Sequence, residues 1–426
     1  STATYWDGHT TTKAEENLTQ YSNNFANAYW SKVDVTVTEG ATAPDGSATA
    51  ATMQATINGD PTQAVYHLMD PVPQIGASVS VYAKEGTTEF FSLQAATASP
   101  NALFNLSTGA VLHHASCTAT ITSVGNGWYR CALENLTGAG NYIIMSPVGS
   151  DIGTGDAWGN NDAQSGDNVL IWGVQLENNS SPTAYTATGG SPIVKYQPTL
   201  QTAASGEARF DHDPVTGESK GLLIEEARTN LVTYSEDFSV SAWLKGAASI
   251  QADNIVAPDG SLYNDNTIRE NSSNTEHLIY NGNTSPLGTS ATFTMSVFAK
   301  NGAISPRRYL GLRNNSAASG AMAVFDLQEG TVTDTNASGN YSVVATSIED
   351  VGNGWYRCSV VMSDGGDGYR EMRIQMVNSA TPTYNNISSV AYAGDGVSTL
   401  IAWGAQMEIG AFPTSYIPTS GSTVTR

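Results

Sequence analysis

One octapeptide occurs twice in this chain, and no other feature constrains the fold as strongly. Val-Gly-Asn-Gly-Trp-Tyr-Arg-Cys occupies residues 124–131 and recurs letter for letter at residues 351–358. Shorter matches keep the same order around it, such as Ala-Pro-Asp-Gly at residues 43–46 and again at residues 257–260. A repeat of about 200 residues is far longer than the roughly 20–50 residues of a solenoid unit, so it predicts two whole domains of one fold.

The matched positions also predict the domain boundaries. We expect a leading segment at residues 1–16, a first copy at residues 17–195, a connector at residues 196–229 and a second copy at residues 230–426. Each copy is long enough to bury a core of its own. The connector has two strand-like runs around the turn Asp-Pro-Val-Thr-Gly at residues 213–217, so we expect it to form a β-hairpin.

Short runs of alternating apolar and polar residues, separated by turn signals, fill both copies. Residues 33–38 (Val-Asp-Val-Thr-Val-Thr) alternate cleanly, whereas helical periodicity is nearly absent. Asn126-Gly127, inside the octapeptide, is the strongest short signal for a hairpin. The pattern predicts an all-β protein made of two tandem jelly-roll-type antiparallel β-sandwiches joined by a β-hairpin connector.

The chain has three cysteines, too few for a disulfide framework. Cys131 and Cys358 end the two octapeptides. With Asn126-Gly127 as the turn, Cys131 is expected opposite Thr122, which keeps it away from Cys117. We therefore expect the cysteines to act as small buried apolar side chains.

The chain is acidic, with 39 Asp and Glu against 18 Lys and Arg and a formal net charge of −21. Binding to nucleic acids or anionic membranes depends on clustered basic residues, so we expect neither partner. No stretch approaches the roughly 18–20 apolar residues of a transmembrane helix. We therefore expect no membrane insertion.

The connector and the second copy resemble a known family. The resemblance is carried by Arg-Phe-Asp at 209–211, Asp-Pro-Val-Thr-Gly-Glu at 213–218, Gly-Leu-Leu-Ile-Glu-Glu-Ala-Arg-Thr-Asn-Leu at 221–231, Gly-Asn-Gly-Trp-Tyr-Arg-Cys at 352–358, Trp-Gly-Ala-Gln at 403–406 and Phe-Pro-Thr-Ser-Tyr-Ile-Pro-Thr at 412–419. These strings are similar to modules of tailed-phage virion proteins known as phage head spike fibre domains. The first copy matches more loosely and ends differently, with Tyr-Thr-Ala-Thr at residues 185–188.

The resemblance implies jelly rolls like those of lectins and carbohydrate-binding modules, displayed on a capsid or a tail fibre, with no established catalytic residues. It implies a location on the virion surface, with other virion proteins as partners. Two such modules in series would raise the avidity for a glycan. Open edge strands also favour assembly with further copies of the chain, so we expect a homo-oligomer.

Six of the eight tryptophans are matched between the copies, and Trp6 and Trp158 are not. The matched pairs are Trp30 with Trp243, Trp128 with Trp355, and Trp172 with Trp403. We expect these in the cores, where a large aromatic side chain buries much area. The alternative for the matched tryptophans is a ligand platform, and the pair beside the Asn-Gly turns, Trp128 and Trp355, is the most open to it.

Trp158 lies in a loop rich in Gly, Asp and Asn at residues 151–168. A flat apolar ring flanked by amide and carboxylate groups is typical of a sugar site. The candidate ligand-binding residues are Trp158, Asp156, Asn160, Asn161, Asp162, Tyr142 and Trp6. The alternative is that Trp158 packs against the neighbouring domain or another subunit.

The same loop offers four carboxylates, hard oxygen ligands that suit Ca²⁺. They are Asp151, Asp156, Asp162 and Asp167. Their spacing does not match an EF-hand, and Asp-Gly sequences are ordinary turn chemistry. We therefore expect no cofactor, with a structural calcium ion as the alternative.

The sequence offers little for catalysis. H-E-x-x-H and the phosphate-binding loop do not occur. Glu177 and Glu408 are matched carboxylates, but each copy has only one at this position, whereas glycosidases usually need two. We expect capping or arginine-binding roles for them, and a protein that is not an enzyme.

These observations predict a non-catalytic fibre or spike protein of the virion surface. Its carbohydrate-binding-like domains would provide adhesion to host or environmental glycans. The alternative is a purely structural capsid decoration or fibre protein, held together by contacts between repeats and between subunits.

Overall fold

The computed structural model describes residues 3–69, 74–138, 140–204, 206–263, 266–282, 292–302, 306–315, 319–364, 371–385 and 387–426. These residues form strands and turns and no helix. The chain divides into two compact units. The first unit is Glu15–Lys195, and the second unit is Ser1–Ala14 together with Tyr196–Arg426. Most of the leading segment and the whole connector therefore belong to the second unit.

The strands are short and follow one another along the whole chain. In chain order they are β1 Ala3–Asn17, β2 Ser31–Val33, β3 Val35–Ala41, β4 Ala50–Ala55, β5 Ala64–Leu68, β6 Ser78–Glu85, β7 Phe90–Gln94, β8 Asn101–Asn105, β9 Ala110–Ala115, β10 Thr118–Gly125, β11 Trp128–Glu134, β12 Tyr142–Val148, β13 Asn168–Glu177, β14 Ile193–Ala203, β15 Phe210–His212, β16 Ser219–Leu222, β17 Thr229–Asn230, β18 Trp243–Gly246, β19 Ala248–Gln251, β20 Ile255–Val256, β21 Leu262–Tyr263, β22 Thr267–Glu270, β23 Asn274–Thr275, β24 His277–Asn281, β25 Thr292–Asn301, β26 Tyr309–Asn315, β27 Gly320–Asp326, β28 Thr331–Ser338, β29 Ser342–Gly352, β30 Trp355–Ser363, β31 Met372–Val377, β32 Tyr392–Ala393, β33 Thr399–Ile409 and β34 Val424–Thr425.

Each unit contains a sandwich of two six-stranded sheets, here called sheet A and sheet B. In the first unit sheet A runs β10-β11-β6-β13-β4-β3, and sheet B runs β2-β5-β12-β7-β8-β9. In the second unit sheet A runs β29-β30-β25-β33-β22-β19, and sheet B runs β18-β24-β31-β26-β27-β28. The two units match strand for strand, with antiparallel pairing. The predicted fold class is confirmed.

The cores lie between the two sheets of each sandwich. In the first unit, Val79 and Val81 of sheet A pack with Phe91 and Leu93 of sheet B. Fully burying one such side chain contributes about 1.5–3 kcal/mol. All six matched tryptophans are buried, with at most 2% of each residue exposed. Trp30 and Trp243 belong to the cores between the sheets, as predicted, whereas the other four are buried outside these two core clusters.

The octapeptide forms the predicted hairpin, with a different register. Asn126 and Gly127 have φ angles of 51° and 77°, the positive values that a type I′ turn requires. Cys131 pairs with Ile121, so the expectation that it faces Thr122 was wrong. A bulge in β10 beside the turn adds one unpaired residue and shifts the register. The three cysteines form no disulfide.

The two units share polar contacts within their sandwiches as well as the strand order of their sheets. Trp30 Nε1 donates a hydrogen bond to the carbonyl of Tyr21 at 3.0 Å. In the second unit Trp243 Nε1 donates to the carbonyl of Tyr234 at 2.7 Å. Each bond provides an acceptor for a buried indole N–H. These matched residues are therefore explained by folding.

The connector forms the predicted β-hairpin. β15 and β16 are antiparallel, and Phe210 pairs with Leu222. The Asp213 carboxylate accepts hydrogen bonds from the backbone N–H groups of Val215 at 3.0 Å and Thr216 at 2.9 Å. This side-chain cap organises the turn, as Asp commonly does at such positions.

Candidate functional site

The outward face of sheet B in the first unit carries two tyrosines. Val65 of β5 and Ile143 of β12 belong to the core. Because neighbouring side chains on a strand point to opposite faces, Tyr66 and Tyr142 lie on the outward face. Their ring centroids are 6.1 Å apart in an edge-to-face arrangement. Both side chains are half-buried.

Trp158 joins these tyrosines from the following loop. Its ring centroid lies 5.6 Å from that of Tyr66, with an interplanar angle of 71°. Trp158 is half-buried as well, and we call Tyr66, Tyr142 and Trp158 the aromatic cluster. Edge-to-face pairs contribute about 0.5–1.5 kcal/mol beyond their buried area. The rings are thus held by one another while part of their surface stays accessible.

The loop that carries Trp158 is tied to the sheet next to this ring. Ala157 is 1% exposed and packs with Val148 in a small apolar cluster that is separate from the main core. Ser92 Oγ donates a hydrogen bond to the carbonyl of Gly155 at 2.8 Å. Anchoring on the N-terminal side of Trp158 fixes where the indole can lie.

Asn161 and Asp162 hold the loop from the other side. Asn161 is 4% exposed, and its Nδ2 donates to the carbonyl of Pro147 at 2.8 Å. Asp162 Oδ1 accepts hydrogen bonds from the backbone N–H groups of Gly149 at 3.0 Å and Ser150 at 3.1 Å. These contacts use the polar groups that the sequence prediction assigned to a ligand. The structure gives both residues a part in positioning Trp158.

Asp156 and Asn160 flank Trp158 and are more accessible. Asp156 is half-buried and Asn160 is exposed. Asn160 Nδ2 donates a hydrogen bond to the backbone carbonyl of Asp156 at 3.1 Å. Burial raises the pKa of Asp156 to about 6, in spite of a hydrogen bond from the backbone of Trp158 that lowers it. The cluster therefore has an amide and a titratable carboxyl group at its edge.

Trp6 belongs to the second unit and is 8% exposed. Its backbone N–H donates to Asp211 Oδ1 at 3.0 Å, and Nδ1 of His212 lies 3.2 Å from its carbonyl oxygen. Trp6 is thus fixed against the connector hairpin. It is not part of the aromatic cluster, which consists of first-unit residues.

The equivalent face of the second unit has different chemistry. Tyr280 of β24 takes the strand position of Tyr66, and it pairs with Arg373 of β31. The guanidinium carbon of Arg373 lies 4.9 Å from the Tyr280 ring centroid. Arg373 Nε also donates to Glu371 Oε2 at 2.8 Å. The Tyr280 ring, which is half-buried like that of Tyr66, therefore contacts a charged side chain, whereas the Tyr66 ring contacts Trp158.

The matched glutamates are structural caps. Glu177 is fully buried and accepts hydrogen bonds from the backbone N–H and the hydroxyl of Thr183, both at 2.7 Å. Glu408 accepts from the same two groups of Thr414, at 2.8 and 2.7 Å. Burial raises the pKa of Glu177. The capping role expected for these residues is present in both units.

The sequence prediction overlooked one short motif of a kind that occurs in enzymes. Gly-Glu-Ser-Lys-Gly at residues 217–221 matches the letters G-x-S-x-G, but it lies in the connector hairpin, and that motif needs a strand-to-helix turn. Ser219 pairs with His212 across the hairpin. However, Nδ1 of His212 is 2.9 Å from the carbonyl oxygen of Phe210, and Ser219 Oγ accepts a hydrogen bond from the N–H of Gly221 at 3.3 Å. These bonds do not activate a nucleophile.

The loop aspartates bind hydrogen-bond donors of the protein. Asp151 Oδ1 lies 2.8 Å from Nε2 of His113, and Asp167 Oδ2 accepts from the N–H of Gln164 at 2.7 Å. Within the described residues, no three His, Cys, Asp or Glu side chains are grouped so that they could hold a metal ion. A structural calcium ion remains an untested prediction. In the same part of the chain, no helix is long and apolar enough to cross a membrane.

Tyr66 is the site residue that the sequence reasoning missed. It is matched by Tyr280 in the other copy, and matched residues were assigned to the fold. The signal that could have found it is the alternation in Ala64-Val65-Tyr66, which places an aromatic residue on the solvent side of a strand. Its proximity to Trp158 depends on a contact between residues 92 positions apart, which periodicity does not reveal.

Comparisons with known proteins leave the family open. No protein-family model matches this chain, and no curated protein matches it. Among solved structures, it is similar to the N-terminal CBM22-1–CBM22-2 tandem domain of Paenibacillus barcinonensis Xyn10C, with 11% sequence identity over 95% of this chain and 100% of that chain. The TM-score of 0.24 is too low to carry an argument about fold or ligand. The resemblance to phage head spike fibre domains therefore remains a prediction.

Proposed function

We propose that this protein is a non-catalytic glycan-binding protein and that the aromatic cluster of the first unit is its binding surface. The observation that supports this proposal is a set of three half-buried aromatic rings at the outward face of a sheet, with Asp156 and Asn160 beside them in the loop of Trp158. Sugar rings present apolar C–H faces surrounded by hydroxyl groups. A site for them needs flat apolar surface together with a few hydrogen-bonding side chains.

The charges around the cluster favour an uncharged saccharide. Residues 149–168 contain Asp151, Asp156, Asp162 and Asp167 and no Lys, Arg or His. An anionic sugar would approach these carboxylates without a compensating basic group in the loop, and like charges repel. Neutral hexose or pentose polymers are therefore the proposed ligand class.

The proposed setting is the surface of a virion, as a fibre or spike that adheres to host or environmental glycans. It is supported by the sequence resemblance to phage head spike fibre domains and by the repetition of one sandwich along the chain. Other virion proteins and further copies of this chain are the proposed partners.

Trp158→Ala tests the binding surface. We expect the affinity of the aromatic cluster for its neutral glycan to fall at least about tenfold, or about 1.4 kcal/mol, because the variant removes the ring that closes the cluster. The measurement is a neutral-glycan array followed by titration calorimetry of the best ligand. Circular dichroism should remain unchanged, since Trp158 is only half-buried.

Phe412→Ala is the matched control, because Phe412 is a 50% exposed aromatic residue of the other unit. It should bind like the unmodified protein. Binding by Trp158→Ala at full strength would remove the cluster from consideration. An array without signal for the unmodified protein would contradict the proposed function itself.

Asp156 should make binding depend on pH. A carboxylate accepts stronger hydrogen bonds from sugar hydroxyls than a neutral carboxyl group does, so affinity should rise as the pH increases through about 6, the pKa of Asp156. The stability of the folded state should depend on pH in the opposite direction. The raised pKa means that the folded state holds the proton more tightly than the unfolded chain does, so this group's stabilising contribution is lost as the pH rises through the same range.

Asp156→Asn is the variant for this prediction, because it keeps the shape and removes the titration. Calorimetric titrations at pH 5 and pH 7 should give equal affinities for Asp156→Asn and different affinities for the unmodified protein. The same pH dependence in both proteins would exclude Asp156 as the titrating group.

One observation favours the second candidate, a purely structural fibre or decoration protein. The connector hairpin exposes Phe210, Leu222 and Ile224, whose exposed fractions are 56%, 54% and 82%. Contiguous exposed apolar side chains often mark a contact surface. Sedimentation of the unmodified protein and of Ile224→Ser at several concentrations tests this role. A monomer throughout would contradict it.

A further inference from the structure

A groove of about 310 Å³ lies in the second unit, and none of its lining residues belongs to a strand of sheet A or sheet B. It is bounded by β1, by β14 and by the turn of the connector hairpin. All of its lining residues belong to the second unit. Its volume falls at the lower end of the roughly 300–1,000 Å³ of small-ligand sites.

The groove has apolar walls and hydroxyl-bearing side chains. The lining includes Pro198, Pro214 and the largely buried Trp6, and Thr11 and Thr216 add hydroxyl groups. Among the described residues that line it there is no Lys or Arg. This combination suits a ligand with apolar C–H faces and many hydroxyl groups, and it lacks the Lys or Arg side chain that commonly binds a phosphate or a carboxylate.

The one carboxylate of the groove is already engaged. Asp7 Oδ1 accepts hydrogen bonds from the backbone N–H groups of His9 at 3.1 Å and Thr10 at 2.8 Å. Its Oδ2 accepts from the Thr10 hydroxyl at 2.5 Å. These bonds organise β1 at this point. The exposed His9 ring is held against the same residue, with Nδ1 2.9 Å from the carbonyl oxygen of Asp7 and Nε2 3.5 Å from Asp7 Oδ2, so it forms a fixed polar edge of the groove.

Two glycines keep the walls close together. Gly8 has a φ of 75°, and a Cβ at this position would lie 2.8 Å from the His212 ring. Gly217 has a φ of 70°, and its Cβ would lie 3.0 Å from the carbonyl oxygen of Gly8. Only glycine fits such contacts without displacement of the neighbours. The groove is therefore formed before any ligand binds, which reduces the entropy cost of binding.

We infer that this groove is a second saccharide site, independent of the aromatic cluster, so that each unit binds a neutral glycan through a different part of its structure. The inference rests on the proposed function for the ligand class. It also gives the second unit a site of its own, since Tyr280, at the position of Tyr66, contacts the charged Arg373 in place of an aromatic partner. Two sites in one chain raise the avidity for a glycan polymer without any additional contact.

Thr216→Trp tests the groove by filling it. Thr216 is exposed, so the larger side chain does not disturb a core. The control is Thr331→Trp, at an exposed position on β28 of the same unit. Each variant is made in the full chain, with and without Trp158→Ala, and is titrated calorimetrically with the neutral oligosaccharide that binds best on the array.

The unmodified protein should bind two equivalents. Thr216→Trp and Trp158→Ala should each bind one, their combination none, and Thr331→Trp two. His9→Ala should weaken the binding that remains in Trp158→Ala severalfold. If Thr216→Trp still binds two equivalents, the proposal for the groove is wrong and the proposal for the aromatic cluster is unaffected. If Thr216→Trp loses glycan binding and Trp158→Ala binds like the unmodified protein, the groove is a site and the aromatic cluster is not. If the unmodified protein binds no glycan, both proposals are wrong.

Discussion

Replacement of Trp243 by alanine is expected to lower the free energy of unfolding of the second unit by about 3–5 kcal/mol. The indole is fully buried, and its ring centroid lies 4.7 Å from that of Phe238 in an edge-to-face arrangement. Its Nε1 donates to the carbonyl of Tyr234. Alanine would leave a cavity and an unpaired buried acceptor. Guanidinium denaturation followed by far-UV circular dichroism measures the change.

Two further variants bracket this result. Trp30→Ala should destabilise the first unit to a similar extent, because Trp30 is 1% exposed and makes the equivalent hydrogen bond to Tyr21. Phe412→Ala, at a 50% exposed position where the ring contacts only the Arg228 guanidinium among the aromatic and cationic groups, at 5.1 Å, should change stability by no more than about 1 kcal/mol. A loss below about 1 kcal/mol for both tryptophan variants would contradict the structural role of the matched tryptophans.

Glu408→Ala should cost the second unit about 3 kcal/mol, because two buried donors lose their acceptor and each costs roughly 1–3 kcal/mol. Those donors are the Thr414 N–H at 2.8 Å and the Thr414 hydroxyl at 2.7 Å. Gln406 Nε2 also loses a bond of 3.0 Å to Glu408 but keeps the carbonyl oxygens of Thr414 and Ser415 within 3.4 Å. The effect is a loss of the cap that holds the segment after β33. Thermal and chemical denaturation of the full chain measure it.

Glu408→Gln is the conservative comparison, since it keeps one acceptor oxygen in the same place. It should lose less than Glu408→Ala, and Glu218→Ala at an exposed position should lose almost nothing. If the alanine variant were as stable as the unmodified protein, the matched glutamates would need a role other than capping. Retained glycan binding by Glu408→Ala under folding conditions would separate this role from ligand contact.

The fold could be predicted because its signals are local. Asn126-Gly127 needs positive φ at two successive residues, and this demand is met within the turn itself. Because the second copy repeats these signals, the same fold could be predicted for both copies, and the strand orders of the two units agree. The register beside the turn was wrong, because a bulge responds to packing across the sheet and leaves no mark in the residue pattern.

The candidate site was only half predicted. Trp158 stood out because the second copy has no counterpart, and Tyr142 was also named. Asn161 has the same chemistry as Asn160 in the sequence, yet its amide is buried beneath the loop whereas that of Asn160 is exposed. Which of two neighbouring amides faces solvent depends on contacts with distant strands, and single-sequence reasoning cannot supply them.

By itself the sequence determined that one sandwich is built twice, where its turns lie and which tryptophans are buried in both units. These properties follow from alternation, turn chemistry and repetition, all of which act over a few residues. Only the tertiary structure brought Tyr66 of β5, Tyr142 of β12 and Trp158 of a later loop into one cluster. It also placed Trp6 in a groove with the connector turn. A binding surface joins residues that are far apart in the chain, so it exists only after the sheets have paired and the loops have packed on them.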